Sequence, residues 1–165
     1  MPTRHPHELP RRWLMTDERM GDALWPALSR LPRGSGVIVR HYSLATHERA
    51  ALLARVERVA VRHGLMVLVG GVEHGRRRGA ISAPVHSRRE AVAAMRAGAK
   101  LLFVSPVHRT RSHPGAGALG PVRLGLMIRG ITVPVIALGG MDERRWRALR
   151  PMGIYGWAAI DAWVR

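Results

Sequence analysis

The chain has 165 residues, which is enough for one domain with its own hydrophobic core. It has no cysteine, which excludes disulfides and thiolate metal sites, and no apolar run as long as the roughly 20 residues of a membrane helix. The net charge of +16 is typical of nucleic-acid-binding proteins. However, the arginines are spread over most predicted helices, and one Phe and two Tyr offer little for base stacking, so we expect no nucleic-acid partner.

Strands and helices alternate along the chain. Residues 1–10 are predicted to be a flexible tail, and residues 11–165 a single domain. The basic, Pro-rich start has no apolar signal region, so we expect a cytoplasmic protein. Apolar runs predict strands at residues 13–17, 37–42, 65–69, 79–86, 101–105, 133–138 and 155–160. Apolar periodicity and capping residues predict helices at residues 22–31, 46–63, 87–97, 121–129 and 142–150.

Two loops that follow predicted strands are suited to binding phosphate. The loop after residue 105 contains Thr110, Ser112 and His113, all of which can donate hydrogen bonds. Gly139 and Gly140 precede a predicted helix start, where backbone N–H groups and the helix dipole favour an anion.

The alternation predicts an α/β fold, a TIM-type (β/α) barrel in which the loops after the strands carry the chemistry. Such a barrel needs eight strands, and seven are predicted. Residues 70–80 are too short for an ordinary parallel crossover, so a strand, a helix or both are missing there. Both a closed barrel without one helix and an incomplete barrel fit this reading. An exposed strand edge of the incomplete form could be covered in a homodimer.

Several segments together resemble the thiamine phosphate synthase and TenI family of small barrels. Residues 13–17 are similar to its first strand, and residues 83–91 to its Ser-x-His segment and the helix start after it. Residues 98–113 resemble its Gly-Ala-Asp strand and phosphate loop, and residues 133–141 its Pro-Val-Ile-Ala-Ile-Gly-Gly segment. The chain is thus identified as a shortened and diverged member, with the clearest likeness over residues 83–162.

The resemblance implies thiamine biosynthesis, by a transferase that couples hydroxymethylpyrimidine diphosphate with thiazole phosphate and releases pyrophosphate. It assigns catalytic positions to His86 and to Arg40, and it also assigns Arg40 to the diphosphate. The residues it places around the phosphates and substrates are Arg40, Thr110, Ser112, His113, Gly139, Gly140 and Ile160. The expected partners are therefore small phosphorylated metabolites.

The metal site of the family is the main departure. The family holds Mg²⁺ with two Asp residues, which here correspond to Gly70-Gly71 and to the segment after His74-Gly75. Mg²⁺ prefers carboxylate oxygen, and only Glu73 lies in the right region. Mg²⁺ is therefore doubtful as a cofactor, and Arg76, Arg77 and Arg78 could neutralise diphosphate instead.

Two other functions stay open. The resemblance includes thiazole tautomerases, in which a His in the segment corresponding to His86 transfers the proton without a metal. The third reading is a non-catalytic remnant that binds a phosphorylated metabolite, which the shortened middle and the missing carboxylates favour.

Overall fold

The computed structural model describes residues 9–110, 115 and 117–164, and its architecture is a single parallel sheet curled on itself, with helices on the outside. The strands are β1 (Arg12–Met15), β2 (Gly36–Val39), β3 (Met66–Val69), β4 (Ser82–Val85), β5 (Leu101–Val104), β6 (Val135–Leu138) and β7 (Gly156–Ala159). The helices are α1 (Leu24–Arg30), α2 (Thr46–His63), α3 (Arg88–Arg96), α4 (Gly120–Ile128), α5 (Glu143–Leu149) and α6 (Asp161–Val164). Two 3-10 segments precede α1 and follow α5, at Glu18–Ala23 and Arg150–Met152.

The strand order is β3-β2-β1-β7-β6-β5-β4, so the first and last strands of the chain pair in the middle. The two outer strands, β3 and β4, are joined through one residue: His74 forms parallel bridges to Gly70 and to Ser82. Backbone hydrogen bonds flank these bridges, from His74 N to Val69 O (3.1 Å) and from Gly75 N to Ser82 O (2.9 Å). His74 therefore occupies the place of an eighth strand.

The stagger of the strands supports a closed barrel. Paired positions can be followed around the barrel when the β5–β6, β6–β7 and β7–β1 ladders are extended by up to three positions. The path starts at Trp13 and runs through Gly36, Met66, Gly70, His74, Ser82 and Leu101, and then through β6 and β7 to Leu9. Along β3 the path moves four positions forward, from Met66 to Gly70. It comes back to β1 at Leu9, which is four positions before its start at Trp13. The total displacement of eight residues is the shear of an eight-stranded (β/α) barrel.

The shortening predicted for residues 70–80 is confirmed, and the structure shows its form. Residues 70–81 contain turns, bends and the two bridges but no helix. A helix is thus absent on each side of His74, and the outward-facing Val67 and Val69 of β3 stay partly exposed. The bridges cover the edges of β3 and β4 only around Gly70 and Ser82, and the homodimer stays a prediction.

Alternation along the strands separates the barrel interior from the layer under the helices. Trp13 and Met15 point inward, whereas Leu14 packs outward with α1 and α2 residues. Trp13 meets Phe103 edge to face with ring centroids 5.3 Å apart. Gly36 permits this packing, because a Cβ atom there would lie 2.2 Å from the Trp13 ring. Trp13 and Phe103 therefore pack together in an interior that is otherwise filled mostly by aliphatic side chains.

The flexible tail over residues 1–10 and the single domain over residues 11–165 both stay predictions. Residues 1–8 lie outside the described residues. Leu9 and Pro10, assigned to that tail, make specific contacts: their carbonyls accept hydrogen bonds from Tyr155 Oη (2.5 Å) and Trp13 Nε1 (2.7 Å). No helix in the part of the chain that the structure describes is long and apolar enough to cross a membrane.

Candidate phosphate-binding site at the barrel mouth

A cavity of about 900 Å³ opens at the carboxyl ends of the strands, where (β/α) barrels carry their active sites. Six predicted site residues line it: Arg40, His86, Thr110, Gly139, Gly140 and Ile160. Thr110 is the last residue before the gap at 111–114, and the predicted Ser112 and His113 lie outside the described residues. The fold thus brings together residues that are up to 120 positions apart in the sequence.

Arg40 follows β2 and is the most firmly positioned cation of the site. Its Nε donates to the carbonyl of Thr16 (2.8 Å), and its backbone N donates to Thr16 Oγ1 (3.0 Å). Its Nη2 lies 3.6 Å from the Asp17 carboxylate. Burial lowers the Arg40 pKa, but an arginine pKa starts so high that the charge persists at neutral pH. Arg40 is therefore a fixed positive charge at the cavity wall.

The Asp17 carboxylate interacts more closely with Arg19 than with Arg40. The Arg19 guanidinium donates to both oxygens of Asp17, at 2.8 and 3.0 Å, and these bonds are the main reason that the Asp17 pKa falls to about 2. Asp17 also caps the 3-10 segment after β1 by accepting from the Arg19 backbone N. Because Asp17 is shared, it only partly neutralises Arg40.

The Gly139-Gly140 turn lies on the other side of the cavity, after β6. Both glycines have positive φ, of 100° and 58°, and a Cβ atom on Gly139 would lie 2.9 Å from Pro106 Cα. Arg145 donates to the carbonyl of Gly140 and also lines the cavity. This turn needs glycine and carries a cation beside it, which suits a phosphate group.

The expectation that the start of the next helix contributes to this anion site needs correction. Helix α5 has only seven residues, and Asp142 caps it by accepting from the backbone N of Arg145 (2.8 Å). A carboxylate therefore already occupies the position where an anion would bind the helix terminus. Any phosphate here would instead be held by the glycine turn and by the side chains of Arg145 and Arg109.

His86 lines the cavity at the end of β4, and its ring has two partners on one nitrogen. Nδ1 lies 3.2 Å from Glu90 Oε2 and 3.0 Å from Arg76 Nη2. Glu90 Oε2 also accepts from the His86 backbone N (2.9 Å) and from Arg76 Nη2 (3.1 Å). If Nδ1 carries the proton and donates it to Glu90, Nε2 is free to act as a base. If Nδ1 instead accepts from Arg76, the proton of the neutral ring is on Nε2. The two partners of Nδ1 therefore favour opposite tautomers of His86.

Four residues used in this description of the site were not assigned from the sequence: Arg109 and Arg145, described above, and His74 and Tyr42. His74 lines the cavity although it is 4% exposed; its Nδ1 lies 2.9 Å from Ser82 Oγ, and its ring meets Phe103 edge to face. Burial, followed by the charge of Arg40, lowers the His74 pKa to about 4, so the ring is neutral at pH 7. Tyr42 lines the mouth with 60% exposure. The remnant of the His-x-Gly motif could have drawn attention to His74, but nothing in the sequence singled out Tyr42.

The side chains at the mouth do not suit Mg²⁺. Glu73 turns away from the cavity, because its Oε2 accepts from the backbone N of Val69 (2.9 Å). Asp17 and Asp142 are held by arginine and by a helix terminus, and Asp161 stands alone at the start of α6. Within the described ranges, no group of three or more metal-ligating side chains could hold a metal ion. The carboxylate oxygens that Mg²⁺ prefers are therefore not assembled at this site.

Comparison with known proteins gives a consistent result. A sequence model described as "Thiamine monophosphate synthase" matches residues 72–163. The thiamine-phosphate synthase of Salinispora tropica is 42% identical over 73 residues, which cover 44% of this chain and 35% of that protein. Matches to several such relatives thus span well under half of their length. The thiamine-phosphate synthase of Salinispora arenicola is 31% identical, over 93% of this chain and 89% of that protein.

Solved structures support the same fold. A thiamine phosphate pyrophosphorylase from Pyrococcus furiosus superposes with a TM-score of 0.73 at 19% identity, covering 93% of this chain and 86% of that one. A geranylgeranylglyceryl phosphate synthase from Thermoplasma acidophilum, solved with sn-glycerol-1-phosphate, gives a TM-score of 0.65 at 11% identity and 94% coverage of this chain. Since the matched segment takes in β4 to β7 and the loops that build the mouth, and the Salinispora arenicola relative extends the match to nearly the whole chain, this protein belongs to the thiamine monophosphate synthase family.

Proposed function

We propose that this chain couples hydroxymethylpyrimidine diphosphate with thiazole phosphate and releases pyrophosphate. The observation that carries the proposal is one cavity with a cationic group on each of two sides: Arg40 after β2, and the Gly139-Gly140 turn with Arg145 after β6. Two phosphorylated substrates need two such anion-binding positions. A cavity of about 900 Å³ is also at the upper end of the range for small-molecule sites.

The reaction requires positioning more than proton transfer. The C–O bond to the diphosphate breaks, its electron pair leaves with pyrophosphate, and the thiazole nitrogen supplies the pair for the new C–N bond. No proton is gained or lost in that exchange. The protein must therefore stabilise negative charge on the leaving group and align the two rings. Arg40 supplies fixed positive charge, because Thr16 holds its guanidinium before substrate arrives.

The test is to incubate the purified chain with both precursors and to measure thiamine phosphate by chromatography. We expect product above background, and we expect the Arg40→Gln variant to lose at least about tenfold in kcat/KM, as removal of a charged hydrogen-bonding group does. Arg58→Gln is the matched control, because Arg58 is an exposed arginine of α2 outside the cavity. Absence of product with the unmodified chain refutes the proposal and favours a non-catalytic metabolite-binding protein.

A thiazole tautomerase is the second candidate, and the contact between His86 Nδ1 and Glu90 favours it. A carboxylate on Nδ1 orients a histidine whose Nε2 can then move a proton on a substrate in the cavity. Conversion of the thiazole carboxylate phosphate to its tautomer, lost in His86→Asn with ligand affinity retained, would support this reading. Tautomer conversion without thiamine phosphate formation would replace the first proposal.

A further inference from the structure

The part of the mouth between β2 and β4 is unusual in its charge. Its cavity-lining residues include Arg40, Tyr42, Gly71, His74 and Gly75, and none of them is acidic. The resemblance to the family places metal-binding carboxylates in this region, whereas the chain has glycines there. The carboxylates around this edge already have partners: Asp17 is bound by Arg19 and lies 3.6 Å from Arg40, Glu73 accepts from the backbone N of Val69, and Glu90 is paired with Arg76.

Arg76 lies at the rim of the cavity because the chain here is so short. His74 bridges β3 and β4, and Gly75 follows it in the cavity wall. Arg76 itself does not line the cavity, and its place at the rim follows from its contact with His86, which does. Two contacts fix its position: Arg76 Nη2 donates to Glu90 Oε2 (3.1 Å) and lies 3.0 Å from Nδ1 of His86, whose ring lines the cavity.

These contacts use one end of the guanidinium. An arginine has five N–H donors in a planar fork, and a single atom, Nη2, makes the two contacts of Arg76. The side chain of Arg76 is 62% exposed, so the remaining donors can reach a ligand in the mouth without losing the anchor to Glu90. A guanidinium with this geometry binds two phosphate oxygens at once.

We propose that Arg76, together with Arg40, binds the diphosphate group directly, so that diphosphate binding at this site needs no divalent cation. The inference rests on the proposed function for its ligand, a diphosphate ester or inorganic pyrophosphate. Exchanging two aspartates and a divalent cation for a glycine and an arginine leaves the local charge no less positive. Electrostatic stabilisation of a leaving diphosphate can therefore be retained although the carboxylates are gone.

The experiment is calorimetric titration of the full chain with inorganic pyrophosphate in buffer containing EDTA. We expect saturable binding by the unmodified chain without added metal. Arg76→Ala should weaken this binding about tenfold or more, and Arg76→Lys should restore part of it, because lysine keeps the charge but not the fork. Arg89→Ala is the matched control: Arg89 is an exposed arginine of α3 outside the cavity wall, and its loss should change the affinity less than about twofold.

Three results would overturn the inference: no binding of pyrophosphate by the unmodified chain, binding that requires added Mg²⁺, or equal affinities for Arg76→Ala and Arg89→Ala. Circular dichroism checks that the variants are folded, as expected for exposed side chains. Failure of the proposed function is detected by a different measurement, the formation of thiamine phosphate. A chain that binds pyrophosphate through Arg76 but forms no thiamine phosphate retains the diphosphate site and loses only the coupling reaction.

Discussion

The buried, neutral His74 makes a quantitative prediction about stability and pH. The folded state lowers its pKa from 6.5 to about 4, so between these values an unfolded chain binds a proton that the folded chain does not. Stability then rises with pH across this window and is lost as the solution is acidified from about pH 6.5 towards about pH 4. With about 1.4 kcal/mol for each tenfold change in proton affinity, His74 alone should cost about 2.5 kcal/mol between pH 7.5 and pH 4.5.

The assay is urea unfolding followed by tryptophan fluorescence at about pH 7.5 and about pH 4.5, for the unmodified chain and for His74→Asn. Asparagine can keep a polar partner for Ser82 but does not titrate. The variant should be less stable at pH 7.5, because the edge contact with Phe103 is lost. The difference between the two proteins should then shrink by about 2.5 kcal/mol at pH 4.5.

Comparison with the variant is needed because burial also lowers the pKa of His41 and of His108, which act in the same direction. Those contributions are present in both proteins and cancel. A stability difference that stays constant between the two pH values would refute the assignment of a strongly lowered pKa to His74. If the variant does not fold, NMR titration of the His74 ring in the unmodified chain tests the same point, and a pKa near 6.5 would contradict it.

The remaining predictions concern the interior and the two anion-binding positions. Gly36→Ala places a methyl group against Trp13 and should lower the free energy of unfolding by about 1–3 kcal/mol in urea titrations, whereas Gly117→Ala, with open space around it, should have little effect. Gly139→Ala should weaken binding of thiazole phosphate about tenfold in calorimetric titrations, since alanine is strained at a φ of 100° and would collide with the neighbouring loop. Arg40→Lys should weaken pyrophosphate binding about tenfold with an unchanged circular dichroism spectrum, because lysine cannot reproduce the bond from Nε to the Thr16 carbonyl; an affinity equal to that of the unmodified chain would contradict the role of the fixed guanidinium.

The strand–helix alternation and the positions of the seven strands could be predicted because each strand is a short apolar run followed by turn residues. The capping residues Ser87 and Asp142 could also be predicted. The side chain of each accepts a hydrogen bond from the backbone N of the residue three positions later in the chain. The eighth position of the barrel could not be predicted. His74 is a polar residue flanked by Glu73 and Gly75, and a bridge of one residue has no periodicity.

The site shows the same division. Arg40, Gly139 and Gly140 follow apolar strands, so their place at the mouth follows from the fold. The roles of Glu73 and Asp142 depended on which neighbouring N–H group each carboxylate would reach, and spacing alone does not decide that. Glu73 satisfies an N–H group of β3 beside the bridge, and Asp142 satisfies its own helix.

The closure of the barrel through His74 bears on how much of a (β/α) barrel can be deleted. The circumference of a barrel depends on the number of strands and their registers, and the length of the connections does not enter. A chain can therefore lose the outer helices on both sides of one strand, and most of that strand, while the remaining strand ends keep their places around the rim. A site built on those strand ends can therefore keep its geometry when outer helices are lost. In a fold whose site depended on helix packing, the same loss would disrupt the site.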